Sequence, residues 1–258
     1  MRNWLVIYKK EIQSYLHSPI AYVTSAFFLF LGGYFFFIVF SHYTMYSMQA
    51  LNQRGRMGQN LNPTEMILRP LFMNLSVISI FVVPLLTMRL LSEEKRTGSA
   101  EVLFTHPVKD SEILLGKFLA CYTLFAANTL VTMLYPLIVA LNGSLEWGAA
   151  VSILTGFLLM GLAFVGFGLF VSSLTEHQIV AGVAGLGGLL FFWLVGWAAD
   201  SMRGGILPKV LEQLSLFSHT ENFMKGVMDS HDALYLVLFT CFCFYLTLQA
   251  LESKKWRG

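Results

Sequence analysis

Charge is what this chain has least of. Asp, Glu, Lys and Arg make up 12% of its 258 residues, against about a quarter in a typical soluble domain. A chain so short of solvating groups is not an ordinary globular enzyme or binding module, because one core cannot hide its apolar surface; it needs lipid. Cysteine is scarce as well. There are three, two of them in Cys241-Phe242-Cys243, and they make no disulfide framework. Residues two apart on a helix point to different faces, so these read as packing residues, and no histidine near them in sequence supports a metal or redox role. There is no P-loop: Phe118 follows Gly116-Lys117 where Ser or Thr is required, and Ser111 stands where the first glycine should be. ATP hydrolysis by that route is excluded. Neither Gly-x-Ser-x-Gly nor His-Glu-x-x-His occurs, which leaves a membrane protease without support. The apolar runs hold almost no ionisable residues, and no repeat relates the two halves; both absences count against an ion-coupled secondary transporter. The net charge of +2 makes no case for nucleic acid.

What the chain has is apolar length. Hydrophobic residues are 56% of it, with 23 Phe and 21 Gly, and the mean hydropathy is +0.64. Six runs, at about 20–40, 64–91, 118–141, 147–174, 179–198 and 232–250, are each long enough for a hydrocarbon core of about 30 Å. The expected fold is therefore an all-α integral membrane protein, a single transmembrane domain of six helices. Residues 1–19 are not a secretory signal, since no apolar core precedes a small-residue cleavage site. Trp4, Tyr8, Ile12, Tyr15 and Leu16 recur at helical spacing, with Lys10, Gln13, Ser14 and His17 on another face. This predicts an amphipathic interfacial helix, bent from the first span at Ser18-Pro19.

Residues 41–62 read as an outer segment. Asn62-Pro63-Thr64-Glu65 opens the second span, with Asn at the cap, and Pro70 and Pro84 can kink it. Arg69 near its outer end snorkels to water in preference to facing a substrate path, on the cost of a charge in lipid. In the fifth span the Ala181/Gly185 and Ala184/Gly188 pairs allow close helix approach. Residues 199–231 form an outer segment with two short amphipathic pieces, one starting at Pro208 and one at the capping box Ser218-His219-Thr220-Glu221. Too short to span, they are expected to dip into the outer leaflet as a re-entrant element.

Lys and Arg orient the whole. Arg2, Lys9, Lys10, Arg89, Lys95, Arg96, Lys109, Lys117, Lys254, Lys255 and Arg257 fall on one side, and the smaller set of Arg54, Arg56, Arg69, Arg203, Lys209 and Lys225 on the other. The larger set marks the cytoplasm, so both termini are inside. His17, His106 and His177 are then inside and His42, His219 and His231 outside. A metal site among the outer three is weaker than the reading of scattered polar histidines, so no metal ligand is expected.

The remaining polar stretch is the most informative. Arg89 to Lys117 reads RLLSEEKRTGSAEVLFTHPVKDSEILLGK, with charges of both signs in close order between two apolar runs. Gly98-Ser99 breaks the charged run and Pro107 disfavours helix at His106. Asp110 or Ser111 can cap a new helix, with Glu112 in its first turn. Met88, Arg89, Glu93, Glu94, Lys95, Gly98, Ser99, Glu101, Leu103, Pro107, Asp110, Gly116 and Lys117 stand in the order and spacing of the signature of the type-2 ABC exporter permeases, with Ser99 where Thr is commoner. The chain resembles that family from its amphipathic start to the Phe223–Asp229 run before the last span, and within it the gliding-motility (GldF-like) and nitrous-oxide-reductase-maturation branch.

The resemblance implies several things. Residues 92–110 are a cytoplasmic coupling segment, in which Glu93, Glu94, Lys95, Arg96, Gly98, Ser99, Glu101 and Pro107 serve a separate ATPase subunit. The chain itself binds no cofactor, ATP and Mg²⁺ being held by the partner. Two ATPase copies and a second permease, identical or not, complete a complex in the bacterial inner membrane. The function expected is the permease subunit of an ATP-driven exporter. The alternative is a non-transporting scaffold of an ATPase-linked extracytoplasmic assembly. The substrate-binding residues and the substrate are open.

Overall fold

The computed structural model describes residues 3–52, 62–96, 109–140, 146–202 and 206–255, and among them every regular element is helical. α1 (Asn3–His17) leads into α2 (Pro19–Asn52) through Ser18. A π-wound turn (Thr64–Leu68) opens α3 (Arg69–Thr87), and a turn joins that to the short α4 (Ser92–Arg96). α5 (Asp110–Thr132) and α6 (Leu134–Ala140) follow, then α7 (Trp147–Leu174) and α8 (Gln178–Ser201). Two short helices, α9 (Ile206–Leu214) and α10 (Ser218–Met224), precede α11 (Ser230–Lys255). Six stretches among the described residues are long and apolar enough to cross a membrane: Pro19–Gln49, Thr64–Arg96, Asp110–Val139, Trp147–Leu174, Gln178–Ala199 and Ser230–Ser253.

The first and third depart most from the expected limits. The first helix does not stop at 40 but continues to Asn52. Ser41, Thr44 and Ser47 donate their hydroxyls to the carbonyls of Phe37, Ser41 and Thr44 at 2.7–2.8 Å, so each polar side chain satisfies itself on its own helix and breaks nothing. The third begins at Asp110 rather than 118, with Lys109 at the cap position and Asp110 and Glu112 in the first turn. The expected cap at Asn62 is made: its Oδ1 accepts from the Thr64 N–H at 3.0 Å. The winding changes from π to α at Arg69-Pro70, where proline has no N–H to give the turn before it.

α7 is the central helix and packs against α3, α5, α8, α10 and α11. Its Phe157 is fully buried between Phe72 of α3 (ring centroids 5.2 Å, edge-on) and Phe125 of α5 (5.5 Å, stacked). In lipid, burial of such rings gains nothing over acyl chains, so the shape fit of the aromatic column does the holding. α2, α8 and α11 form the periphery and turn Phe30, Phe37, Val183, Phe191, Leu238 and Phe242 outward. The small-residue pairs of α8 serve contacts inside the chain: a methyl on Gly188 would stand 2.3 Å from the Phe167 ring of α7. Cys241 is exposed and Cys243 buried, so these two do point to different faces.

α1 lies along α5, and its inward stripe runs through Trp4, Tyr8, Glu11, Ile12 and Tyr15. Leu16, expected on that stripe, is exposed. The capping box at Ser218 is not formed. Instead the Ser215 hydroxyl accepts from the Ser218 N–H at 3.2 Å, one helical turn earlier, and α9 starts at Ile206 rather than Pro208.

Candidate functional site

The end of the bundle that carries α1 and α4 is where the charged groups converge. The turn after α3 leaves the first N–H groups of α4 without helical partners, and a neighbouring helix supplies one. Ser172, buried on α7, accepts from the Leu91 and Ser92 N–H groups at 3.1 and 3.2 Å and donates to the Met88 carbonyl at 3.1 Å. The Ser92 hydroxyl donates to the same carbonyl. Beyond them, the Lys95 ammonium donates to the Ser173 carbonyl, at the carbonyl-rich end of α7 where a cation is favoured. α4 is thus bound to α7 at both of its ends.

On the other flank stands Lys117. Its Nζ lies 2.8 Å from Glu11 Oε1 and 2.8 Å from Glu94 Oε1, with the lysine side chain 3% exposed and the glutamates 14% and 18%. One ammonium so joins α1, α4 and α5. The helices can come this close because residue 116 is glycine: a Cβ there would meet Ile7 Cγ2 at 2.8 Å and the Trp4 carbonyl oxygen at 3.0 Å. α1 is also tied to α3. The Tyr15 hydroxyl donates to the Leu86 carbonyl at 3.1 Å, and the Arg89 guanidinium lies 5.7 Å above the Tyr15 ring. Burial pushes the Tyr15 phenol well above its ordinary value, with the Cys121 thiol beside it adding to the shift, so it acts as a neutral donor. Between these groups a cavity of about 270 Å³ opens, bordered by Glu11, Tyr15, Arg89, Glu93, Glu94 and Lys117.

Four of the expected coupling residues, Glu93, Glu94, Lys95 and Arg96, are thus placed on α4. Glu93 and Arg96 are exposed, whereas Glu94 and Lys95 turn into the chain. Gly98, Ser99, Glu101 and Pro107 lie outside the described residues. Glu11 and Ser172 were not singled out by the sequence. The available signal for Glu11 was an acidic residue on the same helical face as Trp4, Tyr8 and Tyr15, which calls for a buried partner.

The opposite end of the bundle holds a second polar cluster. Two of the histidines expected to be scattered are brought together there: His219 of α10 and His231 of α11 close on Asp232, with one ligand atom from each within 4.8 Å of the others. Arg69 lies 4.0 Å from Glu221 of α10, which also pairs with Lys225 at 2.8 Å. These side chains are more than a third exposed, so the pairs add little stability.

Residues 5–248 match the family model described as ABC-2 family transporter protein. No match is found among curated proteins.

Proposed function

The chain belongs to the ABC-2 transporter family, and from that premise we propose that it is the non-catalytic membrane subunit of an ATP-driven exporter, coupled to a separate ATPase that holds the ATP and Mg²⁺. Two permease subunits form the pathway, above two ATPase subunits on the cytoplasmic side of the inner membrane, with both termini on that side. Residues 92–110 are the docking segment. The helices α9 and α10 dip into the outer leaflet as a re-entrant element.

The observation that carries this reading is the three-way junction at Lys117. A docking segment transmits motion only if it is held more firmly to the spans than to solvent. Here α4 continues the second span through the turn at 88–91, is fixed to α7 by Ser172 and Lys95, and is fixed to α1 and α5 by Lys117. Displacement of α4 therefore carries four other elements with it. Glu93 and Arg96 face outward, where a partner's charges can reach them without burial of much apolar area. Division of labour follows: inward-facing charges hold the lever, and outward-facing charges engage the ATPase.

The test is reconstitution. A tagged chain should copurify an ATPase subunit, the chain alone should turn over no ATP, and the complex in vesicles should show turnover that an exported lipid, drug or polymer stimulates. Failure of any ATPase to copurify would overturn the reading. An ATPase that binds, but whose turnover no such compound alters, would mark a scaffold instead.

A further inference from the structure

We propose that His219, His231 and Asp232 bind a divalent transition-metal ion of the Zn²⁺ type, clamping α10 to the start of α11. The proposal rests on the geometry of this cluster alone and not on the exporter reading.

His219 sets the argument. Its Nε2 faces the Gln213 carbonyl oxygen at 3.4 Å, an acceptor only, so Nε2 carries a proton. Its Nδ1 faces Asp232 Oδ1 at 2.7 Å. In the neutral ring Nδ1 is then a lone pair, and it stands against the lone pair of a carboxylate. Two acceptors at that distance need a positive centre between them, either a proton or a metal ion. The ring cannot turn away, because it stacks on Tyr235 with centroids 3.8 Å apart. His219 and Asp232 are both buried, at 8% and 5% exposure.

The remaining features distinguish a metal site from a simple ion pair. Nδ1 of His231 lies 3.7 Å from the same Asp232 oxygen, on a side chain that is 77% exposed. A buried imidazolium–carboxylate pair has no use for a second imidazole; a metal does. Zn²⁺ takes nitrogen at about 2.0–2.1 Å and carboxylate oxygen at about 2.0–2.2 Å, so tetrahedral ligand atoms stand roughly 3.3 Å apart. The observed 2.7 and 3.7 Å separations bracket that value, all three ligand atoms lie within 4.8 Å of one another, and a swing of the exposed His231 ring closes the set. Asp232 has its outer shell in place, since Oδ2 accepts from the Asn222 amide at 2.8 Å, as Gln213 does for His219. Two imidazoles and a carboxylate suit Zn²⁺, whereas Ca²⁺ and Mg²⁺ ask for oxygen alone.

The start of α11 is an unfavourable place for a cation. Asp232 in the first turn and Asp229, whose Oδ1 accepts from the His231 N–H at 2.9 Å, supply countercharge. The fourth ligand is solvent from the adjoining pocket of about 430 Å³, whose wall carries Lys209 and Glu212.

The test uses the full chain in detergent, stripped with chelator and titrated with Zn²⁺ alone against a chromophoric competitor, with Co²⁺ as a spectroscopic substitute. One ion per chain is expected, together with the intense visible bands of tetrahedral Co²⁺. His231→Ala should abolish those bands and weaken Zn²⁺ by more than tenfold, and should leave the metal-free unfolding midpoint unchanged because the ring is exposed. Asn222→Ala should weaken Zn²⁺ by about tenfold to a hundredfold, and His42→Ala, on α2, should have no effect. Zn²⁺ affinity equal in His231→Ala and parent, or saturation well below one ion per chain, would mean that only a proton joins His219 to Asp232, and the proposal fails.

Discussion

Lys117 Nζ and Glu94 Oε1 stand 2.8 Å apart, although the two residues belong to helices that leave from opposite ends of the segment 97–108. Whatever that segment docks against, its two roots are already pinned to each other, and Glu11 pins both to α1. A load applied between the roots reaches the second and third spans together. Charge is the material for such a joint, because a buried ammonium between carboxylates tolerates little displacement before its desolvation is uncompensated.

Replacing Lys117 by Met should therefore be expensive. Removing one partner of a buried pair costs about 3–5 kcal/mol, and the partial exposure of both glutamates favours the lower end. The triple variant Lys117→Met, Glu11→Gln, Glu94→Gln should recover most of that loss, since no unpaired charge remains, yet stay impaired in transport because the joint is gone. Thermal unfolding in detergent reads the first effect and vesicle transport the second. A single variant as stable as the parent would show that the ammonium is not what holds the three helices.

Ser172→Ala should act on the turn rather than on the joint. It deprives the Leu91 and Ser92 N–H groups of their acceptor, at about 1–3 kcal/mol for a buried group left unsatisfied. Hydrogen exchange should accelerate at those two amides and leave the α1–α5 contact as it was. Unchanged exchange at Leu91 and Ser92 would show that other groups fix α4.

The six-span architecture was legible in the sequence because lipid imposes it: no other arrangement satisfies the backbone of six long apolar runs. The ends of those runs were less legible. Ser41, Thr44 and Ser47 fall in the stretch 41–62 that reads as an outer segment, but hydroxyls bonded to their own helix cost it nothing. The pairing of Lys117 with Glu11 spans 106 positions, a separation over which no periodicity speaks. His219 and His231 lie on different helices with a turn between them, so their convergence on Asp232 depends on how α10 folds back. Both clusters belong to tertiary packing, and sequence patterns report one element at a time.

The topology proposed from the Lys/Arg asymmetry has α4 inside and α9 outside. In a background without native cysteines, Glu212→Cys should react with an impermeant maleimide on intact cells, while Arg96→Cys should react only after the membrane is opened; both positions are exposed to solvent. Labelling in the reverse pattern would invert the topology and place the Lys117 joint on the wrong face for an ATPase.

The last prediction separates docking from transmission. Glu101 belongs to the polar segment proposed to dock the ATPase, so Glu101→Lys should leave insertion unaffected. Reversal of a charge at a desolvated interface pair costs about 2–5 kcal/mol, enough to lose the ATPase in a pull-down at equal membrane expression. Glu93→Lys, exposed on α4, should behave in the same way. Glu94→Gln should not: its carboxylate is turned to Lys117, so the ATPase should still bind while substrate-stimulated turnover falls. Glu212→Lys, exposed on α9, should spare both. The pattern matters more than any one variant, because general destabilisation would depress binding and turnover together in all four. If Glu94→Gln loses the ATPase while Glu93→Lys and Glu101→Lys retain it, then the partner reaches the inward-facing side of α4, and the division between holding and docking charges is wrong.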